Sequence, residues 1–130
     1  MRVLLDTHIL LWAVAASSRL PDAVRDVLED GANDAYYSAA SIWEIAIKSA
    51  LRQKTLHIDV AAMRAALPRM GLIELPVTAE HAAGVAALPP PPIHRDPFDR
   101  LLIAQSIVEP LTLVTNDSVL GRYASTVRVV

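Results

Sequence analysis

Residues 2–15 read RVLLDTHILLWAVA. Arg2–Leu5 is short and apolar, as a strand buried on both faces should be. Asp6-Thr7 then offers a helix N-cap, and Ile9–Ala15 continues as a helix. A strand that ends in a carboxylate and turns at once into a helix is one unit of an α/β fold. Two questions follow: whether the chain repeats that unit, and whether its carboxylates meet.

The unit recurs along the chain. Pro21 suits the first turn of a second helix, running to about Glu29 and ending before Gly31. Ala35–Tyr37 reads as a short strand. Ser41-Ile-Trp-Glu44 has capping-box spacing and predicts a helix from there to about Arg52. Asp59 caps another, to about Leu67; Leu72–Leu75 is a strand; Thr78 starts a helix through Ala87. Residues 88–93, LPPPPI, form a stiff polyproline connector. Asp96 and Pro97 stand as cap and first helical residue, and their helix runs to about Val108. Leu111–Thr115 is a strand, Asn116-Asp117 a turn into a short helix near Val119–Tyr123, and Thr126–Val130 a final strand.

Short apolar strands alternating with helices predict one α/β domain over residues 1–130. Its expected form is a three-layer sandwich, a central parallel sheet flanked by helices. In such sheets ligands gather at the carboxyl ends of the strands.

Composition narrows the function. With 130 residues, 53% hydrophobic and 20% charged, the chain can bury a core and is not disordered. It has no cysteine, which excludes disulfides and thiolate metal sites. No segment reads as a signal peptide or a membrane span, so the cytoplasm is the expected compartment. A net charge of −2 argues against gripping nucleic acid by bulk positive charge. Ten of the twelve basic residues are arginine, which suits planar pairing with phosphate or carboxylate and equally a solvated surface.

Four carboxylates fall toward one sheet edge. Asp6 follows the first strand. Glu44 is expected in the first turn of the helix after the second strand, and Asp99 in the first turn of the helix that Asp96 opens. Asp117 lies just past Leu111–Thr115. Each has a plain structural role open to it. Asp6 can cap a helix; Glu44 can close a box with Ser41 or pair with Lys48; Asp99 can complement a helix dipole; Asp117 can shape a turn.

Together, however, four such groups would repel one another unless a cation neutralised them. All-oxygen ligands suit Mg²⁺ or Mn²⁺ and not Zn²⁺. A hard cation on a few acids fits phosphoryl transfer or phosphodiester hydrolysis, and it lets an acidic protein engage a polyanion. Asp96 is best placed as the cap, and Asp99 at the third helical position can aim out of the helix mouth toward a metal. Both could reach it, and spacing does not separate them.

Weaker candidates surround the acids. Thr7, Ser41, Thr115 and Asn116 could position water or phosphate, and each is also a routine cap or turn residue. Arg95 and Arg100 flank the acids and could steer phosphate or simply pair with them. His8, His57, His81 and His94 lack metal-ligand spacing and are expected on the surface or in the core. Trp12 and Trp43 stand among aliphatic residues and are expected in the core.

VLLDTHILLW (3–12), SIWEIAIK (41–48), HRDPFDRLLIAQ (94–105) and LVTNDSVLGRY (113–123), in that order, resemble PIN-domain proteins. More closely, they resemble VapC-type toxins of bacterial toxin–antitoxin pairs. The resemblance covers essentially the whole chain and implies a Mg²⁺- or Mn²⁺-dependent ribonuclease. Asp6, Glu44 and Asp99 match the family's three invariant acids, and Asp117, in TND, its more variable fourth. The resemblance implies that Asp6, Asp99 and Asp117 bind metal directly or through water. Glu44 completes the shell or orients the attacking water; one metal or two would fit. It also implies a homodimer acting on RNA, inhibited by a small antitoxin protein. Asp96 is an extra acid where many relatives show one.

Two rival readings lack a residue. A haloacid-dehalogenase-type phosphatase wants Asp-x-Asp after its first strand, and here the order is Asp6-Thr7-His8. A receiver-type signalling module clusters acids around Mg²⁺ but wants a lysine after a late strand, and Lys48 and Lys54 are both early. A catalytically inert scaffold would not need four acids.

Overall fold

The computed structural model describes residues 1–51, 58–89 and 96–130. His57, His94, Arg95 and the connector beyond Pro89 lie outside the described residues. The strands are β1 (Arg2–Leu5), β2 (Asp34–Ser38), β3 (Ile73–Leu75), β4 (Thr112–Thr115) and β5 (Val127–Val129). The helices are α1 (Thr7–Val14), α2 (Asp22–Glu29), α3 (Ala39–Ala50), α4 (Val60–Arg69), α5 (Ala79–Gly84) and α6 (Pro97–Val108). A 3₁₀ turn follows α5 at Val85–Ala87, and another spans Leu120–Arg122.

All strand pairings are parallel, and the strand order is β3-β2-β1-β4-β5. Side chains alternate across the sheet, so β1 feeds two cores. Val3 and Leu5 pack with Ile9, Leu10, Ile45 and Leu67 from α1, α3 and α4. Leu4 faces the other way, against Leu102 and Ile103 of α6 and Leu113 of β4. Val3, Leu4 and Leu5 are completely buried. Helices therefore cover both faces, and the architecture is the expected three-layer α/β sandwich.

The central position of β1 sets the site. The chain builds outward from β1 to β2 and β3 on one side, and to β4 and β5 on the other. The change of direction falls between β1 and β4, where ligands of open parallel sheets collect. The same order rules out a receiver module, whose sheet runs 2-1-3-4-5.

One helix opens elsewhere than expected. Ser38, the last residue of β2, caps α3 by accepting the Ala40 N–H at 3.0 Å. Helix-favouring Ala39 and Ala40 then carry α3 upstream of Ser41. Ser41 and Glu44 therefore form no capping box, and Glu44 stands in the second turn. The box occurs at α5, where the Thr78 hydroxyl accepts from the His81 N–H and His81 Nδ1 accepts from the Thr78 N–H. Helix α4 ends on Gly71, whose φ of 78° lets the Leu72 N–H reach back to the Leu67 carbonyl before β3 begins. Among the described residues, no helix is long and apolar enough to cross a membrane.

Candidate active site

Asp6 leaves β1 and caps α1. Its Oδ1 accepts the Thr7 N–H at 2.7 Å, and its Oδ2 accepts the Thr115 hydroxyl at 2.7 Å. The side chain is buried, with the residue 4% exposed. Burial pushes its carboxyl above the ordinary range, against the opposing effects of the two hydrogen bonds and His8; the nearby Glu44 adds to the rise. Asp6 is thus a carboxylate short of countercharge.

Thr115, at the end of β4, joins two of the expected site residues. While donating to Asp6, its hydroxyl accepts the Asp117 N–H at 3.1 Å. Asp117 spends its own Oδ1 on the Val119 N–H at 2.9 Å, an Asx turn. Asn116 is exposed beside it.

Glu44 enters the same edge from α3. One turn earlier, the Ser41 hydroxyl meets the Thr7 hydroxyl at 2.9 Å, both buried, and this pair fastens α3 to the start of α1. Glu44 is 4% exposed, and its Oε2 binds Lys48 Nζ at 2.6 Å. Its Oε1 is buried with no hydrogen-bond partner among the described residues. A buried charged oxygen without a partner costs stability unless something else binds it.

Lys48 reaches beyond Glu44. Its ammonium is held above the ordinary range chiefly by the bond to Glu44, with burial opposing and with Asp96 and Asp99 contributing through space. The mouth of α6 therefore lies within the field of the α3 pair. Asp96 is the cap there, its Oδ1 accepting from the Phe98 and Asp99 N–H groups at 2.9 and 3.1 Å. Asp99 is the third helical residue and is half-buried.

The edge thus draws Asp6 and Glu44 together, ties Asp117 to them through Thr115, and links Asp96 and Asp99 through Lys48. It does not close them into one shell. Among the described residues, no three acid or imidazole side chains are grouped closely enough to hold a metal as they stand. Lys48 meets Glu44 where a metal could, and Asp117 is turned into its own loop.

Other expectations fare differently. Arg100 donates to the Pro89 carbonyl at 2.8 Å and lies over the Tyr123 ring, 5.8 Å from its centroid. Arg95 lies outside the described residues. His81 is buried and binds Glu109 at 2.7 Å, consistent with a core role. Trp12 packs against the core, but Trp43 does not: it is 60% exposed. Adjacent helical residues point about 100° apart, so with Glu44 turned inward Trp43 faces outward. The i,i+4 spacing from Glu44 is the one sequence signal that Lys48 carries.

The profile of the PIN domain family matches residues 3–125. No curated protein matches the sequence significantly. Among solved structures, the chain is similar to one in the VapBC2 structure from Rickettsia felis bound to a DNA fragment from their promoter. Identity is 16%, over 100% of this chain and 98% of that one, with a TM-score of 0.69. It is similar also to a chain of DNA-bound VapBC from Salmonella typhimurium, at 16% identity over 100% and 97% of the chains and a TM-score of 0.69. A chain of FitAcB from Neisseria gonorrhoeae shows 20% identity over 91% and 89%, with a TM-score of 0.55. At these identities the likeness is one of fold.

Proposed function

This chain belongs to the PIN domain family, a family of nucleases, and on that premise we propose that it is a Mg²⁺- or Mn²⁺-dependent endoribonuclease. The observation that carries the proposal is Glu44 Oε1, a buried carboxylate oxygen with no partner, beside a buried Asp6 whose hydrogen bonds do not offset its burial. All-oxygen groups of this kind fit a hard divalent cation. Asp6, Asp99 and Asp117 would hold it directly or through water, with Glu44 orienting the attacking water. When bound, it would supply charge neutralisation at the scissile phosphate and a lowered pKa for water.

The protein's own groups do the rest. Thr115 and the Thr7 N–H fix both oxygens of Asp6. Lys48 holds Glu44 by one oxygen and leaves the other to accept a hydrogen bond from the attacking water. That water gives a proton to Glu44 Oε1 as it adds to phosphorus, the P–O bond to the leaving oxygen breaks, and the leaving oxygen takes a proton from solvent, to which Glu44 returns its own. Residues 1–130 act as one catalytic unit in this reading.

The paired names of the similar VapBC and FitAcB structures support a partner protein, and we take this chain as the toxin of such a pair, held in check by a cognate antitoxin and acting as a homodimer in the cytoplasm. The test is to sequence the RNA ends made by purified protein with Mn²⁺, with Glu44→Gln as control. Discrete ends from the wild type and none from the variant are expected, together with growth arrest by the wild type alone. Equal cleavage by the two would remove Glu44 from the mechanism.

A further inference from the structure

The seam between α3 and α6 carries a second feature beside the acids. Trp43 directly precedes Glu44, and Phe98 directly precedes Asp99. Adjacent helical residues point about 100° apart, so each acid and its aromatic neighbour diverge from one turn. The two rings meet across the seam edge to face, with centroids 5.1 Å apart and planes at 70°. They flank a cavity of about 440 Å³, lined also by Ala82, Val85, Arg100 and Leu101. That volume belongs to ligand pockets, which span about 300–1,000 Å³, and not to packing defects.

Resting on the nuclease reading above, we propose that this cavity is a nucleobase subsite. It takes one unpaired base of single-stranded RNA, next to the scissile phosphate, stacked on the exposed Trp43 ring. Charge argues for this occupant over an apolar protein segment. A nucleotide is a flat ring joined to an anion, and the seam offers both complements. The aromatic walls suit the ring. For the anion, Arg100, whose guanidinium also binds the Pro89 carbonyl, lines the cavity, and Lys48 stands at the neighbouring acids with one of its three ammonium hydrogens used on Glu44. Two of the cavity's walls, Trp43 and Phe98, also adjoin the acid edge in sequence, each directly preceding an acid, Glu44 and Asp99. Stacking tolerates any base, so the subsite selects single strands over duplex and not one sequence.

The test uses full-length protein and a short single-stranded RNA. In a Trp12→Phe, Glu44→Gln background, expected to bind without cleaving, Trp43 is the only tryptophan, and RNA added with Mg²⁺ should quench its fluorescence. In cleavage assays with Mn²⁺, Trp43→Ala should raise KM about tenfold, the scale of one lost base stack, with kcat nearly unchanged. Trp43→Phe should recover most of the loss, and Mn²⁺ should stabilise all these forms equally against heat. Trp43 lies outside the catalytic groups and is exposed, so the variants keep the fold. Unchanged fluorescence, or an unchanged KM in Trp43→Ala with a cleaving wild type, overturns the subsite alone. So does a variant whose only change is in oligomeric state by sedimentation, which makes the face a contact between copies. A wild type that cleaves no RNA overturns the nuclease reading and the subsite with it.

Discussion

Asp6 and Asp96 occupy the same local position, the N-cap of α1 and of α6, and each accepts backbone N–H groups from its own helix. Their surroundings differ. Asp96 is half-buried and puts one oxygen on two N–H groups. Asp6 is buried, with a hydroxyl from a distant strand on its second oxygen and another carboxylate close by. The same capping chemistry therefore yields a plain helix start in one place and a candidate metal ligand in the other. What separates them is desolvation, which leaves Asp6 in need of countercharge.

The comparison fails if the two caps prove interchangeable. Asp6→Asn is expected to lower Mn²⁺-dependent RNA cleavage by more than about 100-fold, beyond the range for losing an outer-shell partner. Asp96→Asn should stay within about threefold, because asparagine caps as well as aspartate. Single-turnover cleavage by the two variants decides it.

Thr115→Val sharpens the contrast on the folded state. It strips a donor from Asp6 and an acceptor from the Asp117 N–H, both buried or half-buried. A loss of about 1–3 kcal/mol in chemical denaturation is expected, together with weaker cleavage. A variant as stable as the wild type would mean that Thr115 does not organise the edge.

The pH response reports on Asp6. Burial raises the folded-state pKa of Asp6 above its ordinary value of 3.8. The folded protein therefore holds that proton more tightly than the unfolded chain. Asp6 contributes stability below its unfolded pKa, and the contribution is lost as pH rises through the folded one. In metal-free buffer, Asp6→Asn should melt higher than wild type near pH 7, and the gap should close toward pH 4. A gap that widens on acidification would contradict the burial argument. The smallest effect is expected at the half-buried cap: Asp96→Ala should cost about 1 kcal/mol of stability by denaturant titration, and little more.

Much of this was legible in the linear sequence. The caps at Asp6, Asp59, Thr78 and Asp96 were readable because capping depends on N–H groups within three residues of the cap. The Glu44–Lys48 pair was readable for the same reason, since i and i+4 share a helix face. The start of α3 was not, because Ser38 and Ser41 are both competent caps and only packing of the helix face chooses between them. Packing of the same helix leaves Trp43 at the surface and sets Ser41 against Thr7. Asp117 looked free to join the other acids, and its turn to the Val119 N–H depends on the loop's conformation.

The sequence by itself determined that strands and helices alternate, that acids stand where strands become helices, and which residues open those helices. These are consequences of short-range hydrogen bonding and of apolar periodicity. Only the tertiary structure decided which acids meet. Thr115 reaches Asp6 across 109 residues, and Lys48 on α3 feels Asp96 and Asp99 on α6. Those relations follow from the strand order, which sets β1 beside β4, and from the way α3 packs against α6. The physical reason is that burial and through-space charge depend on the whole packed fold, while a cap depends on a single turn.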